Sequence, residues 1–160
     1  MAKKENKTNA MRILEKMKIP FEMRTYECDE FIDGMQTADL LGMPHEIMYK
    51  TLVTVGKSKA NYVFVIPIAE EIDFKKAAKA VNEKSLEMLP LKDLTAVTGY
   101  IRGGCTAIGM KKKFKTVIQE DATKLEKMVV SGGRIGLQLI LLPEDLRKAS
   151  DAEFADVIRR

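Results

Sequence analysis

The 160-residue sequence has no tryptophan, one histidine and two cysteines, and each scarcity removes a chemistry. With His45 alone, a multi-histidine metal site is impossible, and any conventional Ser-His-Asp or Cys-His centre must use that residue. Cys28 and Cys105 are too few and too far apart for a zinc site or a disulfide scaffold. Long apolar runs are also lacking: none approaches the roughly 18–20 residues of a membrane-crossing helix. Met1 to Lys7 contains no apolar stretch, so no secretory signal, no membrane partner and a cytoplasmic location are expected. The nucleotide P-loop, the dinucleotide fingerprint and the Gly-x-Ser-x-Gly elbow are absent. No internal repeat or low-complexity linker interrupts the chain.

What is present is ordinary soluble composition, 46% apolar and 31% charged, which excludes bulk disorder and coiled coil. The length suits one domain, residues 1–160, with a core large enough to need neither metal nor disulfide. Basic residues number 27 and acidic residues 23, a formal charge of +4. This allows a polyanionic partner without requiring one. The basic residues cluster at Lys3, Lys4 and Lys7, at Lys111, Lys112, Lys113 and Lys115, and at Arg159 and Arg160. Solvated faces and frayed ends account for each cluster as well as polyanion contact does.

Thr8 or Asn9 can cap a helix whose Ala10, Ile13, Leu14 and Met17 form an apolar face, and Pro20 stops it. Phe21 to Tyr26 alternates as a strand. A loop from Cys28 to Gly34 leads to a short helix through Thr37, Leu40 and Leu41, ended by Gly42. Tyr49–Val55 and Tyr62–Ile66 predict an antiparallel hairpin turning at Gly56-Lys57-Ser58. Asp73 can cap a helix carrying Phe74, Ala77, Ala78 and Val81, and another short helix spans Leu91 to Val97 before Gly99. Strands are expected at Thr116–Gln119, Met128–Ser131 and Leu137–Leu142. Pro143 then opens a helix, and Asp151 starts a last short one presenting Phe154, Val157 and Ile158. Short strands among scattered helices predict an α+β fold, a mixed, mostly antiparallel sheet curled into a partial barrel with surrounding helices.

Three segments can carry chemistry. Alternation puts Lys50 on one strand face with Leu52 and Thr54, where an ammonium must reach water or an anion. It is either a snorkelling edge lysine or a fixed charge beside a carboxylate, phosphate or developing oxyanion. The loop Gly99-Tyr100-Ile101-Arg102-Gly103-Gly104-Cys105 is either a structural turn or a set of N–H groups facing a ligand oxygen. Ser131, before Gly132-Gly133-Arg134, can hydrogen-bond a substrate from a strand end. Cys105 without a base reads as a small buried hydrophobe, and His45 as a loop or capping residue.

Together, Tyr49-Lys50-Thr51-Leu52, Gly99-Tyr100 with Gly103-Gly104, and Ser131-Gly132-Gly133 before Gly136-Leu137 resemble the YbaK/EbsC family. Its members are free-standing relatives of the editing domain inserted in bacterial prolyl-tRNA synthetase. Ile19-Pro20-Phe21, Tyr26-Glu27 and the stretch from Ala152 to Ile158 are similar too, so the likeness covers nearly the whole chain. It implies trans-editing of mischarged aminoacyl-tRNA, best fitting Cys-tRNA(Pro) with some action on Cys-tRNA(Cys). It also implies no cofactor and no metal, because the substrate thiolate attacks its own ester carbonyl and leaves as a thiolactone.

The same resemblance assigns Lys50, Gly103 and Gly104 to catalysis and Tyr26, Phe31, Thr51, Ser131 and Gln138 to the substrate pocket. The polyanionic substrate gives Lys111, Lys112, Lys113, Lys115 and Arg134 to tRNA, with prolyl-tRNA synthetase as a transient partner. Two departures stand out. Gly103-Gly104-Cys105-Thr106-Ala107 lacks the family's Gly-Gly-Ile-Ser-Pro, and Gln138 occupies a position where the subgroup has aspartate. Hydrolysis of Ala-tRNA(Pro) or another mischarged tRNA by water, and a non-catalytic module binding an acceptor end or a synthetase, are the competing expectations.

Overall fold

The computed structural model of the chain describes residues 7–27 and 34–160. Helix α1 (Asn9–Lys16) starts where expected: the Thr8 hydroxyl accepts from the Met11 amide, and Ala10, Met11 and Leu14 turn inward. Strand β1 (Glu22–Thr25) follows Pro20. Helix α2 (Gly34–Leu41) buries Thr37 and Ala38, leaves Leu40 exposed, and gives way to Gly42 at φ +68°. Strands β2 (Tyr49–Gly56) and β3 (Asn61–Pro67) form the expected antiparallel hairpin, with Lys50 opposite Ile66 and Thr51 opposite Val65.

Helix α3 (Phe74–Ala80) begins at Asp73, whose carboxylate accepts from the amides of Lys75 and Lys76. Then come β4 (Leu86–Met88), a 3-10 turn at Leu91–Asp93, and α4 (Leu94–Thr98), closed by Gly99 at φ +88°. Strands β5 (Lys115–Gln119), β6 (Met128–Ser131) and β7 (Leu137–Leu141) precede α5 (Pro143–Ser150) and β8 (Ala152–Ala155).

The mixed α+β class holds, and four of the six strand pairings are antiparallel. The partial barrel does not. The strands make two sheets, ordered β1-β7-β6 and β4-β2-β3-β5-β8. Where the sheets approach, they share an isolated bridge between Met48 and Val129 rather than a ladder. Nothing therefore curls one sheet round into the other.

The last segment also differs from expectation. Asp151 ends α5 in the left-handed region at φ +55°, and Ala152 to Ala155 continues as a strand parallel to β5. Its alternation explains the outcome: Ala152 and Phe154 pack on the core while Glu153 points out.

The main core lies between the sheets, where Tyr49, Val65 and Ile118 meet Val130, Leu137 and Leu139 under α1 and α5. A second cluster packs Phe64, Ile66 and Val117 against Ala77 and Ala78 of α3 and Val81 just past it. Buried on both faces, β3 reads as an unbroken apolar run rather than an alternation. A third cluster joins Ala38 of α2 to Met48, Val129 and Ile140.

Candidate active site

Strand β4 pairs only with the far end of β2, Thr54 to Gly56. Among the described residues, no strand pairs with β2 on that side from Lys50 to Val53; an isolated bridge ties Met48 to Val129 of β6 just before that stretch. A cavity of about 670 Å³ opens along this edge, walled by β2, α2, the ends of β6 and β7, the loop after α4, and the segment around β4. The direction of the β2 backbone follows from its neighbours. The Met48 carbonyl accepts from the Ile68 amide on the β3 side, whereas the Val53 carbonyl accepts from Leu89 and the Lys57 amide donates to Ser85, both on the β4 side. Alternation then turns the N–H and C=O of Thr51 away from β3 and toward the cavity.

Six of the residues expected to form the site meet in that cavity: Tyr26, Lys50, Thr51, Gly103, Ser131 and Gln138. Lys50 is half-buried in its wall. Ser131 and Gln138 oppose each other across β6 and β7, and Gln138 also faces Arg24 of β1. The cavity receives Tyr26 just past β1, where its amide donates to the Gly136 carbonyl at 3.0 Å. Phe31 and Cys28 lie outside the described residues.

The two loop glycines separate in role. Gly103, at φ +86°, lines the cavity. Gly104 does not: its amide donates to the Ile101 carbonyl at 2.9 Å, and it presses on the backbone of Arg134. A Cβ at position 104 would stand 2.7 Å from the Arg134 Cα, so glycine is required for the two loops to touch.

Sequence reasoning missed several parts. Arg102 lines the cavity beside Gly103, and with Lys50 it makes the described lining cationic, with no acidic member. Its only signal was its place between Gly99 and the Gly103-Gly104 pair. The loops are also pinned by residues that read merely as helix caps. The Thr8 hydroxyl donates to the Gly132 carbonyl at 2.6 Å, and the Asn9 side chain donates to the Gly109 carbonyl at 2.9 Å. Within the glycine loop, the Tyr100 hydroxyl donates to the Ile108 carbonyl at 2.6 Å. Burial pushes that phenol up to about 12.

Cys105 reaches the cavity wall, yet burial pushes its thiol up to about 12, outweighing a hydrogen bond with Thr98 that acts the other way. Such a thiol stays protonated at neutral pH and is a poor nucleophile. His45 Nε2 lies 2.9 Å from the Asp39 carboxylate and takes no part in the lining.

A second cleft, of about 340 Å³, collects Lys111, Lys112 and Lys113 with Lys148 of α5. Lys111 donates to the Ala96 carbonyl at 3.2 Å, and Lys113 stands 3.1 Å from Asp151. Lys115 is exposed at the start of β5, and Arg134 follows the Ser131 turn; neither lines this cleft. The glycine loop walls both spaces, with Gly103 and Cys105 on the larger and Ala107 and Gly109 on the smaller. No helix among the described residues is long and apolar enough to cross a membrane.

Comparisons with known proteins place the chain in a family. The aminoacyl-tRNA editing domain model matches residues 33–149. An Enterococcus faecalis (strain ATCC 700802 / V583) protein named "Putative Cys-tRNA(Pro)/Cys-tRNA(Cys) deacylase EbsC" is 44% identical over 160 residues, covering 98% of each chain. A crystallised "putative trans-editing enzyme for prolyl tRNA synthetase" matches with a TM-score of 0.80 at 18% identity, over 98% of this chain and 100% of that one. The crystallised hypothetical protein APE2540 matches with a TM-score of 0.86 at 19% identity, over 94% and 99%. The two structures share the fold. The family model and the 44% relative show more: the chain belongs to the aminoacyl-tRNA editing domain family, in the YbaK/EbsC group that its motifs resemble.

Proposed function

We propose that residues 1–160 form one editing domain that removes wrongly attached amino acids from tRNA in trans, acting in the cytoplasm on Cys-tRNA(Pro) and, second, on Cys-tRNA(Cys). The observation that carries this reading is the convergence of Tyr26, Lys50, Thr51, Gly103, Ser131 and Gln138 on one cavity. The 44% identity to the Enterococcus faecalis relative supports the choice of substrate.

The chemistry suits these groups. The cysteinyl sulfur attacks its own ester carbonyl, so a C–S bond forms and the C–O bond to the ribose breaks. The thiol proton ends on the departing ribose oxygen, and the amino acid leaves as a thiolactone. An intramolecular nucleophile supplies the effective concentration that an external one lacks. Charge developing on the carbonyl oxygen is met by the Lys50 ammonium and by backbone N–H groups at Thr51 and in the Gly103 loop. Ser131 and Gln138 orient the amino acid. The protonated Cys105 takes no covalent part.

The lysine-rich cleft receives backbone phosphates of the tRNA, Lys115 and Arg134 extend that surface, and prolyl-tRNA synthetase is a transient partner. Hydrolysis of Ala-tRNA(Pro) by water is the second reading, because Gln138 departs from the aspartate of the subgroup that acts on cysteinyl substrates.

The test is a deacylation panel of Cys-tRNA(Pro), Cys-tRNA(Cys) and Ala-tRNA(Pro), with thiolactone measured as product. Lys50→Ala should lower single-turnover deacylation at least about tenfold with the fold intact, about 1.4 kcal/mol of transition-state stabilisation. Thiolactone from the cysteinyl substrates supports the first reading, and free alanine from Ala-tRNA(Pro) alone supports the second. Tight tRNA binding without turnover leaves the non-catalytic module.

A further inference from the structure

The two loops that carry Gly103 and Ser131 are joined through an element that stays out of the cavity. Among the described residues, none from Thr8 through α1 lines it, yet the first turn of α1 touches both loops. The Thr8 hydroxyl makes two bonds at once. As a cap it accepts from the Met11 amide at 3.2 Å, and it donates to the Gly132 carbonyl at 2.6 Å. One residue on, the Asn9 side chain donates to the Gly109 carbonyl at 2.9 Å. Each loop has a glycine where it meets the helix. A Cβ at Gly133 would stand 3.1 Å from the Thr8 Cβ and 3.3 Å from Tyr100 Cε1, and one at Gly109 would stand 2.7 Å from Asn9 Nδ2. Capping a helix requires only an acceptor. The two donor bonds, which span 124 and 100 residues of sequence, need another explanation.

We propose that the first turn of α1 fixes the spacing of the two loops that meet the acyl ester, with Thr8 and Asn9 as positioning residues for Ser131 and Gly103. This inference rests on the tRNA-editing reading. The path is short on each side. Gly132 directly follows Ser131, and its amide donates to the Leu137 carbonyl at 2.9 Å, so a shift at Gly132 carries Ser131 with it. Gly109 lies at the far end of the loop that begins at Gly99. There the Tyr100 hydroxyl closes the loop on the Ile108 carbonyl at 2.6 Å. The helix between them is a fixed post, because Ala10, Met11 and Leu14 are buried in the main core. Two loops hung on one post keep a constant separation. A displacement of about 1 Å at a reacting group can cost about 100-fold in rate, so bonds that never touch substrate can govern turnover.

Aspartate separates the two roles of Thr8. Thr8→Asp keeps an acceptor for the Met11 amide but sets a carboxylate against the Gly132 carbonyl, whereas Thr8→Ser keeps both bonds. Asn9→Asp likewise loses the donor to Gly109 while placing a favourable charge in the first turn of the helix. On Cys-tRNA(Pro), Thr8→Asp should raise KM at least about tenfold, because Ser131 holds the amino acid already in the ground state. Asn9→Asp should lower kcat a few-fold at nearly constant KM, because the glycine-loop donors meet charge only in the transition state. Thr8→Ser should restore wild-type kinetics, and all three thermal midpoints should stay within a few degrees of wild type. Wild-type kinetics in both aspartate variants, or a loss in Thr8→Ser equal to that in Thr8→Asp, would overturn the clamp while leaving the editing reading standing. Losses that scale with a lowered thermal midpoint would overturn it too. Amide hydrogen exchange gives a readout free of turnover. Thr8→Asp should speed exchange at the Gly132 amide and leave the amides of α1 protected. In a wild-type protein that deacylates nothing, that pattern retains the clamp and rejects the activity, and unchanged exchange at Gly132 rejects the clamp.

Discussion

Ser131 and Gln138 stand directly opposite one another on β6 and β7, so their side chains leave the same face of the three-stranded sheet. Arg24 occupies the equivalent place across β7's other edge. Gln138 is the buried member of this row, 7% exposed, and it contributes an amide dipole where a carboxylate would contribute a full charge. Burying a new carboxylate costs solvation, but pairing with a substrate ammonium offsets it. Gln138→Asp should therefore raise kcat/KM for Cys-tRNA(Pro) by a few-fold, roughly the difference between a neutral and a charge-assisted hydrogen bond. N-acetylated substrate, which lacks the ammonium, should gain less. Equal responses from the free and acetylated substrates would defeat this account.

The cysteines should be dispensable. Cys105 has a thiol raised to about 12 by burial, so little thiolate exists at neutral pH. The Cys28→Ser, Cys105→Ser double variant is expected to keep most of its activity on Cys-tRNA(Pro). Alkylation at pH 8 should modify Cys105 far more slowly than a free thiol in the unfolded chain. Complete loss of turnover at unchanged thermal stability would point instead to a protein nucleophile.

Much of this molecule was legible before its structure. The Thr8 and Asp73 caps, the β2–β3 hairpin and the glycine ends at Gly42 and Gly99 are local events with local signals, and all fell where expected. The failures were non-local. Leu86–Met88 is three residues with one buried side chain, too short to show a period. Whether the sheets close depends on which edges meet, and only the Met48–Val129 bridge decides that. The site divides likewise. Lys50 was conspicuous as a charge within an apolar strand, while Arg102 looked like an ordinary loop cation. The opposed roles of Gly103 and Gly104 depend on Arg134, thirty residues away, which no local pattern reports.

The basic cleft makes a prediction about salt. Lys112 and Lys148 come from different elements yet line the same space. If phosphates enter it, Lys112→Glu with Lys148→Glu should weaken binding across tRNA species and flatten the dependence of affinity on salt. Deacylation of a minimal aminoacyl-nucleoside, which has no phosphate chain to engage the cleft, should be unaffected. A binding curve unchanged over a salt series would return these lysines to the solvated surface.

The last prediction concerns a backbone atom. The Thr51 N–H points away from β3 and toward the cavity, so proline at this position removes a donor without breaking a β2–β3 ladder bond. Lys50, the preceding residue, already has the extended conformation that a following proline demands. If the Thr51 amide meets the developing oxyanion, Thr51→Pro should lower kcat by at least about tenfold, since single oxyanion donors contribute about 100-fold or more at well-formed sites. KM should change little, because the ground-state carbonyl is bound less closely than the charged intermediate. Thr51→Val keeps the amide and the side-chain shape, and it separates the two contributions of the residue. Near-normal kcat in Thr51→Val beside a strong loss in Thr51→Pro, with both thermal midpoints within a few degrees of wild type, assigns the effect to the N–H. Equal kcat in the two variants would remove the amide from the mechanism and leave Lys50 and the Gly103 loop to stabilise the charge.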